Sequence, residues 1–310
     1  MDRILIDMLV TGLPLVPVFL GIYTVFRIRA DFDLTVEGSF VTGGAACAVA
    51  ITHGVQPWLA VVLGVVAGVL AGLCTAGLHL LLGVPVLLAG LIMSIGLFSV
   101  NLAILGQPTV SLGMNKTVFS GLTGLGSPGA DLAQAALMAA VVLVVLVAFG
   151  YYMKSEAGLA MRASGVNARM ARSLGIDDKV ITVTGLALAN GLAGLGASLA
   201  VQYQGYADVN MGVGTFVAGV GAIMLGELFL RPTGSTTVRM LLAVLLGTLL
   251  YRLVLVSALR YGLPAGDLKA VTALTLIIAI AAERYLRIFS RMARARGLDR
   301  RRTAIVAEGR

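Results

Sequence analysis

An all-α bundle that crosses a membrane many times, built on an inverted repeat, is the fold this sequence predicts. Three observations lead there. Of its 310 residues, 58% are hydrophobic and 12% charged, against about 25% charged in a soluble domain. Apolar runs of about 20 residues recur along the whole chain, each long enough to cross a hydrocarbon core of ~30 Å. The runs lack the alternation of barrel strands, so each must satisfy its backbone hydrogen bonds within itself, as a helix does.

The expected spans are 4–26, 36–53, 57–82, 84–106, 132–153, 180–204, 212–230, 239–258 and 267–288, within a count of about 8–10 segments in one transmembrane domain over 1–310. The first run holds Asp7, Pro14 and Pro17 and lacks a basic leader and cleavage site, so it is expected to stay as a span. The segments 36–53 and 212–230 are short and interrupted by glycine, which predicts broken helices. The runs 57–82 and 84–106 follow as long apolar stretches, and 132–153 and 180–204 flank a polar, basic island at 154–179. The last two spans lead into a basic tail at 289–310. The 39 glycines suit close helix packing where no hydrophobic force drives association. Cys47 and Cys74 fall in apolar runs and are expected as buried free thiols.

Lys and Arg set the orientation. The island carries Lys154, Arg162, Arg169, Arg172 and Lys179, and the C-terminal stretch adds Arg284, Arg287, Arg291, Arg294 and Arg296, then Arg300 to Arg302. Both belong on the cytoplasmic side, and the four spans between them agree with that. The basic loop 231–239, Arg27 and Arg29 then also lie inside, while 107–131 and the N-terminus lie outside. The same bias explains the net charge of +8 without a nucleic-acid partner. The spacing of Arg284, Arg287, Arg291 and Arg294 puts them on one helix face, suited to anionic lipid headgroups.

Gly38-Ser39-Phe40-Val41-Thr42-Gly43-Gly44-Ala45-Ala46 aligns with Gly214-Thr215-Phe216-Val217-Ala218-Gly219-Val220-Gly221-Ala222, and Gly83-Val84-Pro85 returns as Gly262-Leu263-Pro264. In the expected topology the matched segments run in opposite directions, with halves at about 30–106 and 205–288. Transporters built this way place their site at the repeat interface. No catalytic constellation stands out: His53 and His79 have no Cys, Asp or Glu at ligand spacing, so neither a metal site nor an enzyme is expected. No phosphate-binding loop is present, so any ATP must be bound by another chain.

The island reads as an amphipathic docking element. Glu156, Gly158, Arg162, Ala163, Asn167, Arg169, Ala171, Arg172 and Gly175 mix charge with small residues, and Gly165 and Asn167 allow a break or cap between two short helical turns. Its pattern E-x-G-x-x-x-R-A-x-G-x-N-x-x-x-A-R-x-L-G-I resembles the coupling-helix motif of ABC-importer permeases of the branched-chain amino acid type. The stretch Asp33-Leu34-Thr35-Val36-Glu37-Gly38-Ser39-Phe40 is similar to the tryptophan/tyrosine-type branch of that superfamily, and the likeness covers about 24–287.

The resemblance implies a bacterial inner-membrane complex. A second permease subunit, as a homodimer, would pair with two cytoplasmic ATPases that hold the ATP and Mg, and a periplasmic or lipoprotein solute-binding protein would deliver the solute. No cofactor would be bound by this chain. Glu156, Gly158, Arg162, Ala163, Asn167, Arg169, Arg172 and Gly175 would contact the ATPase, and Glu37, Ser39, Phe40, Thr42, Gly43, Asn210, Thr215, Phe216 and Gly219 would lie on the path. One departure is internal: Asn210-Met211-Gly212 stands where the first half has Val36-Glu37-Gly38, so the two halves cannot contact solute identically.

Glu37 and Glu227 are expected near cytoplasmic span ends, Glu37 either capping a helix or gating. Arg252 lies in an apolar run, either facing a pore and a carboxylate or reaching back to the outer interface. With few polar residues on the path, a small and mostly apolar organic solute is expected, an amino acid or aromatic compound rather than phosphate or a polyamine. An ion-coupled secondary transporter is the alternative, and it would need a buried carboxylate at mid-membrane.

Overall fold

A computed structural model describes residues 2–125, 129–230 and 237–282. The chain folds as α1 (Asp2–Gly12), α2 (Leu15–Tyr23) with a π turn (Thr24–Arg29), α3 (Thr35–Thr52), α4 (Pro57–Leu82), α5 (Val86–Leu105), β1 (Thr109–Ser111), α6 (Gly129–Lys154), α7 (Glu156–Val166), α8 (Ala168–Ser173), α9 (Asp178–Gln204), β2 (Tyr206–Asp208), α10 (Thr215–Phe229), α11 (Thr237–Arg260) and α12, described over Leu268–Ala282. Six of these helices are long and apolar enough to cross a membrane, and the bent pair of α1 and α2 makes a seventh. The chain is thus an all-α, multi-pass membrane protein. Arg231 and the arginines from 284 onward lie outside the described residues.

The bend between α1 and α2, 52°, follows from Pro14. Proline has no N–H to donate to the preceding turn, and its ring disrupts a continuous helix. Beyond the bend α2 becomes the hub of the bundle. Every residue from Val16 to Tyr23 is buried, and the helix packs against α9, α10 and α11. The peripheral helices look different: α5 and α6 expose Leu91, Ile95, Leu143 and Val144, as apolar spans on the outside of a bundle do.

Helices α3, α4 and α9 meet at backbone distance. A Cβ at Gly43 would strike Gly194, and one at Gly194 would strike the Gly64 carbonyl. This close approach lets a seam of polar side chains bond across the helices. Ser39 Oγ donates to Asn190 Oδ1 (2.6 Å), Asn190 Nδ2 donates to Asp33 Oδ2 (2.7 Å), and the Thr35 N–H donates to Asp33 Oδ1 (2.9 Å). Thr35 and Thr75 share a hydrogen bond of 2.8 Å between their hydroxyls.

The loop 107–131 is expected as an irregular outer segment, yet it supplies β1, which pairs antiparallel with β2 and sets Thr109 opposite Asp208. Strands of three residues are too short to leave a period in the sequence. The hydrogen bond from the Thr109 hydroxyl holds the Asp208 carboxyl below the usual carboxylate range. Cys47 is buried, but Cys74 is exposed, because it sits on the outward face of α4. His53 and His79 each bond a backbone carbonyl through Nδ1, at Val49 and Val84.

The α7–α8 elbow and the β1–β2 pair lie at opposite ends of α9. Helix α3 starts beside the first turns of α5, where Gly90 meets Asp33 and Leu34, and runs toward the β1–β2 end. Helix α10 starts beyond β2 and runs toward the elbow end, where Glu227 pairs with Arg27. The two therefore run in opposite senses.

Gly43→Leu should lower the thermal midpoint of the purified protein, followed by fluorescence-detected size-exclusion, because overpacking of a filled contact costs about 1–3 kcal/mol or more. Gly77→Leu, where a side chain meets open space, should leave the midpoint unchanged.

Candidate functional site

The elbow is built by its own signature residues. Ser155 starts α7, donating to Tyr152 O (2.7 Å) and accepting from the Gly158 N–H. Gly158 is pressed on the backbone of Tyr152 and Met153, and Arg162 Nη2 donates to the Met153 carbonyl. Asn167 ends α7 in an extended conformation and caps α8, its Oδ1 accepting from Arg169 and Met170 N–H at 3.1 Å each. Gly175, at φ +85°, closes α8 in a left-handed turn, with Ile176 N–H donating back to Ala171 O (3.1 Å). The island is thus two short helices hinged at Asn167.

The elbow is seated on the membrane helices through the π turn. Gly165 lies directly on the Ile28 carbonyl, leaving no space for a side chain. The neighbouring Arg29 donates to Thr182 Oγ1 (2.8 Å) at the foot of α9 and pairs with Asp31 (3.0 Å). Ser164 Oγ donates to Asp178 Oδ1 (2.6 Å), tying α7 to the start of α9. On the outer side the elbow presents Leu159, Val166, Met170 and Leu174, with Val166 89% exposed. Arg169 and Arg172 stand exposed beside them. Large exposed apolar side chains beside cations are the makings of a protein-docking surface.

A cavity of about 330 Å³ opens near the β1–β2 end of the bundle. Its wall is assembled from the α1–α2 bend (Thr11, Pro14), Phe19 of α2, Phe40 of α3, Tyr203 and Gln204 of α9, Gly214 and Thr215 at the start of α10, Tyr251 and Arg252 of α11, and Lys269 and Thr272 of α12. Phe19 and Tyr251 meet edge to face, 6.1 Å between ring centres. Tyr251 also shares a hydrogen bond of 2.9 Å with Thr272. Toward the elbow end the space is closed by α2 against α10, where Gly219 faces Phe19 and Ile22.

Glu37 sits between the repeat-related helices. Its Oε1 accepts the N–H of Gly214 (3.1 Å) and of Phe216 (3.3 Å), two of the donors that the start of α10 would otherwise leave unpaired. Instead of lying at a cytoplasmic span end, it caps the opposing helix. Glu227, at the other end of α10, does lie near the elbow side, bonded to Arg27.

Of the expected path residues, Phe40 and Thr215 line the cavity. Ser39 bonds Asn190, Thr42 bonds the carbonyl of Gly38 (2.9 Å), and Gly43 packs against Gly194, so all three are taken up in helix packing. Phe216 is buried. Asn210 is exposed in the turn before α10, its N–H bonded to Asp208 (2.8 Å). In the elbow, Glu156, Ala163, Asn167, Arg169, Arg172 and Gly175 are exposed, Gly158 is buried and Arg162 is half-buried. Sequence reasoning did not single out the four exposed apolar residues of the elbow, nor the buried pair Asp33 and Asn190. Asp33 was findable: an Asp two residues before a helix-opening Thr is a capping pattern.

The family model described as the permease component of the branched-chain amino acid transport system matches residues 4–281. The chain is similar to the tyrosine transport system permease protein of Clostridioides difficile, 30% identical over 262 residues that cover 84% of this chain and 85% of that one. It is also similar to an uncharacterized protein of Rickettsia prowazekii, 31% identical over 282 residues, 90% of this chain and 98% of the other. No solved structure matches it.

Removing the cap on α10 gives a measurable outcome. Glu37→Ala leaves two backbone donors without an acceptor and should destabilise the purified protein by about 1–3 kcal/mol. Glu37→Gln keeps an accepting oxygen and should retain most of the stability; thermal midpoints in one detergent distinguish the two.

Proposed function

We propose that this chain, which belongs to the branched-chain amino acid transport permease family, is the membrane subunit of an ATP-driven importer. Its solute on this reading is an amino acid with an aromatic or apolar side chain. The observation that carries the proposal is the seat of the elbow: an exposed apolar surface fixed to the end of the same helix whose other end lines the cavity. A partner ATPase would grip Leu159, Val166, Met170 and Leu174, with Arg169 and Arg172 pairing to its carboxylates.

Motion would pass from there without a flexible joint. Pulling the elbow displaces Ile28 and Arg29, hence α2; the Arg27–Glu227 pair carries α10 along. Both helices wall the cavity, so shifting them together against α3, α9 and α11 would reshape it. In the complete assembly, embedded in a bacterial inner membrane, the elbow faces the cytoplasm, a second copy of this chain and two ATPases holding ATP and Mg complete the machine, and a binding protein delivers solute at the β1–β2 end of the bundle. The name of the Clostridioides difficile relative, a tyrosine permease, supports the aromatic amino acid, as do Phe19, Phe40, Tyr203 and Tyr251 around the cavity. An ion-coupled mechanism would need a free buried carboxylate. Asp33 is buried, but each of its oxygens already accepts a hydrogen bond.

Val166→Asp combined with Met170→Asp should cut ATP-dependent uptake by the reconstituted complex about tenfold or more, the scale of losing a well-packed contact. The permease should still elute as folded protein. Uptake at the unsubstituted rate would overturn the docking role. Arg162 is unsuited to this test, because its bond to Met153 makes it part of the elbow's own structure.

A further inference from the structure

The polar groups of the cavity are unevenly charged. Arg252 and Lys269 both line it, and among the described residues no carboxylate does. Lys269 is exposed at the start of α12. Arg252 lies about two turns before the end of α11 at Arg260, inside the apolar layer, where a cation is stable only when paired or wet.

The side chain of Arg252 is aimed by its neighbours. Its stem lies along Gly12, whose Cβ, if present, would stand 3.2 Å from Arg252 Cγ. Its Nε donates to the Thr11 carbonyl (3.0 Å) at the α1–α2 bend. That bond fixes the guanidinium plane and leaves both terminal nitrogens without a protein hydrogen bond or ion pair among the described residues. A guanidinium held by Nε, with its terminal donors free in a cavity, is a ready fork for a carboxylate.

The rest of the cavity suits the remainder of such a molecule. Phe19, Phe40, Tyr203 and Tyr251 supply ring faces and edges, and the volume of about 330 Å³ lies in the range of small-molecule sites. Lys269, exposed at the start of α12, would draw an anionic group inward.

We propose that Arg252 receives the α-carboxylate of the transported amino acid, with its side chain against the aromatic wall of the cavity. The α1–α2 bend is then part of the recognition site, because it frees the carbonyl that orients the guanidinium. Solutes lacking a carboxylate, such as the amines left when aromatic amino acids are decarboxylated, are not held. This assignment rests on the transport reading above.

Two measurements test it. The first is ATP-driven uptake of L-phenylalanine, L-tyrosine and L-tryptophan by the reconstituted complex carrying Arg252→Gln or Arg252→Lys. The Gln variant should lose about tenfold or more in uptake, and the Lys variant, with a charge but no fork, should fall between. The second needs no variant: the thermal midpoint of the wild-type permease in nanodiscs, with no binding protein present, should rise with millimolar amino acid and not with the matching amine. Equal shifts with acid and amine, no shift with either, or Arg252→Gln uptake within about twofold of wild type would overturn the carboxylate assignment while leaving the transport reading in place. If the wild-type complex takes up none of the three amino acids, the transport reading for aromatic amino acids falls first.

Discussion

At position 165 there is room for a backbone and nothing more, because the carbonyl of Ile28 lies against it. This contact is what makes the elbow a rigid extension of α2. A side chain of any size would lift α7 from the π turn, and the bonds from Arg29 to Thr182 and from Ser164 to Asp178 would no longer align. With the contact in place, the elbow, the foot of α9 and the end of α2 form one block. Because α2 is buried along its length and crosses the middle of the bundle, a displacement of that block cannot be absorbed at the surface.

The two ends of α10 complete the linkage. At its start, Glu37 of α3 holds the Gly214 and Phe216 N–H groups; at its end, Glu227 holds Arg27. A short helix fixed by charged hydrogen bonds at both termini moves as a body. The polar seam of Asp33, Asn190 and Ser39 does the opposite for α3 and α9, locking them to each other where Gly43 and Gly194 bring the backbones together. The bundle thus holds a laced pair, α3 with α9, beside a second pair, α2 with α10, tied together at the elbow end by the Arg27–Glu227 ion pair.

The spans were legible in the sequence, since the length of an apolar run is set by membrane thickness. The expected 57–82 coincides with α4; 36–53 differs from α3 by one residue at each end, but α3 is a continuous helix and not the broken one that its glycines predict. The bend of the first span was present as Pro14, though the sequence argument used that residue only against a signal peptide. Glu37 illustrates the limit. Its partners are 177 and 179 positions away, and nothing local distinguishes a carboxylate capping its own helix from one capping another. Arg252 was seen as an anomaly with two resolutions, and choosing between them needed the position of the Thr11 carbonyl. Val166 and Met170 look like core residues of an amphipathic helix, yet they face outward, while the elbow buries Gly158, Met161, Ser164 and Ala171.

That inversion separates signature from handshake. The residues that make the elbow recognisable, Gly158, Gly165, Asn167 and Gly175, shape it or seat it on the chain's own backbone, whereas the side chains left exposed between them are ordinary apolar residues. On the docking role proposed above, a lineage could retune its affinity for a different motor by exchanging Val166 or Met170 while the hallmark stays unaltered, and two chains with the same hallmark would not have to accept each other's engine.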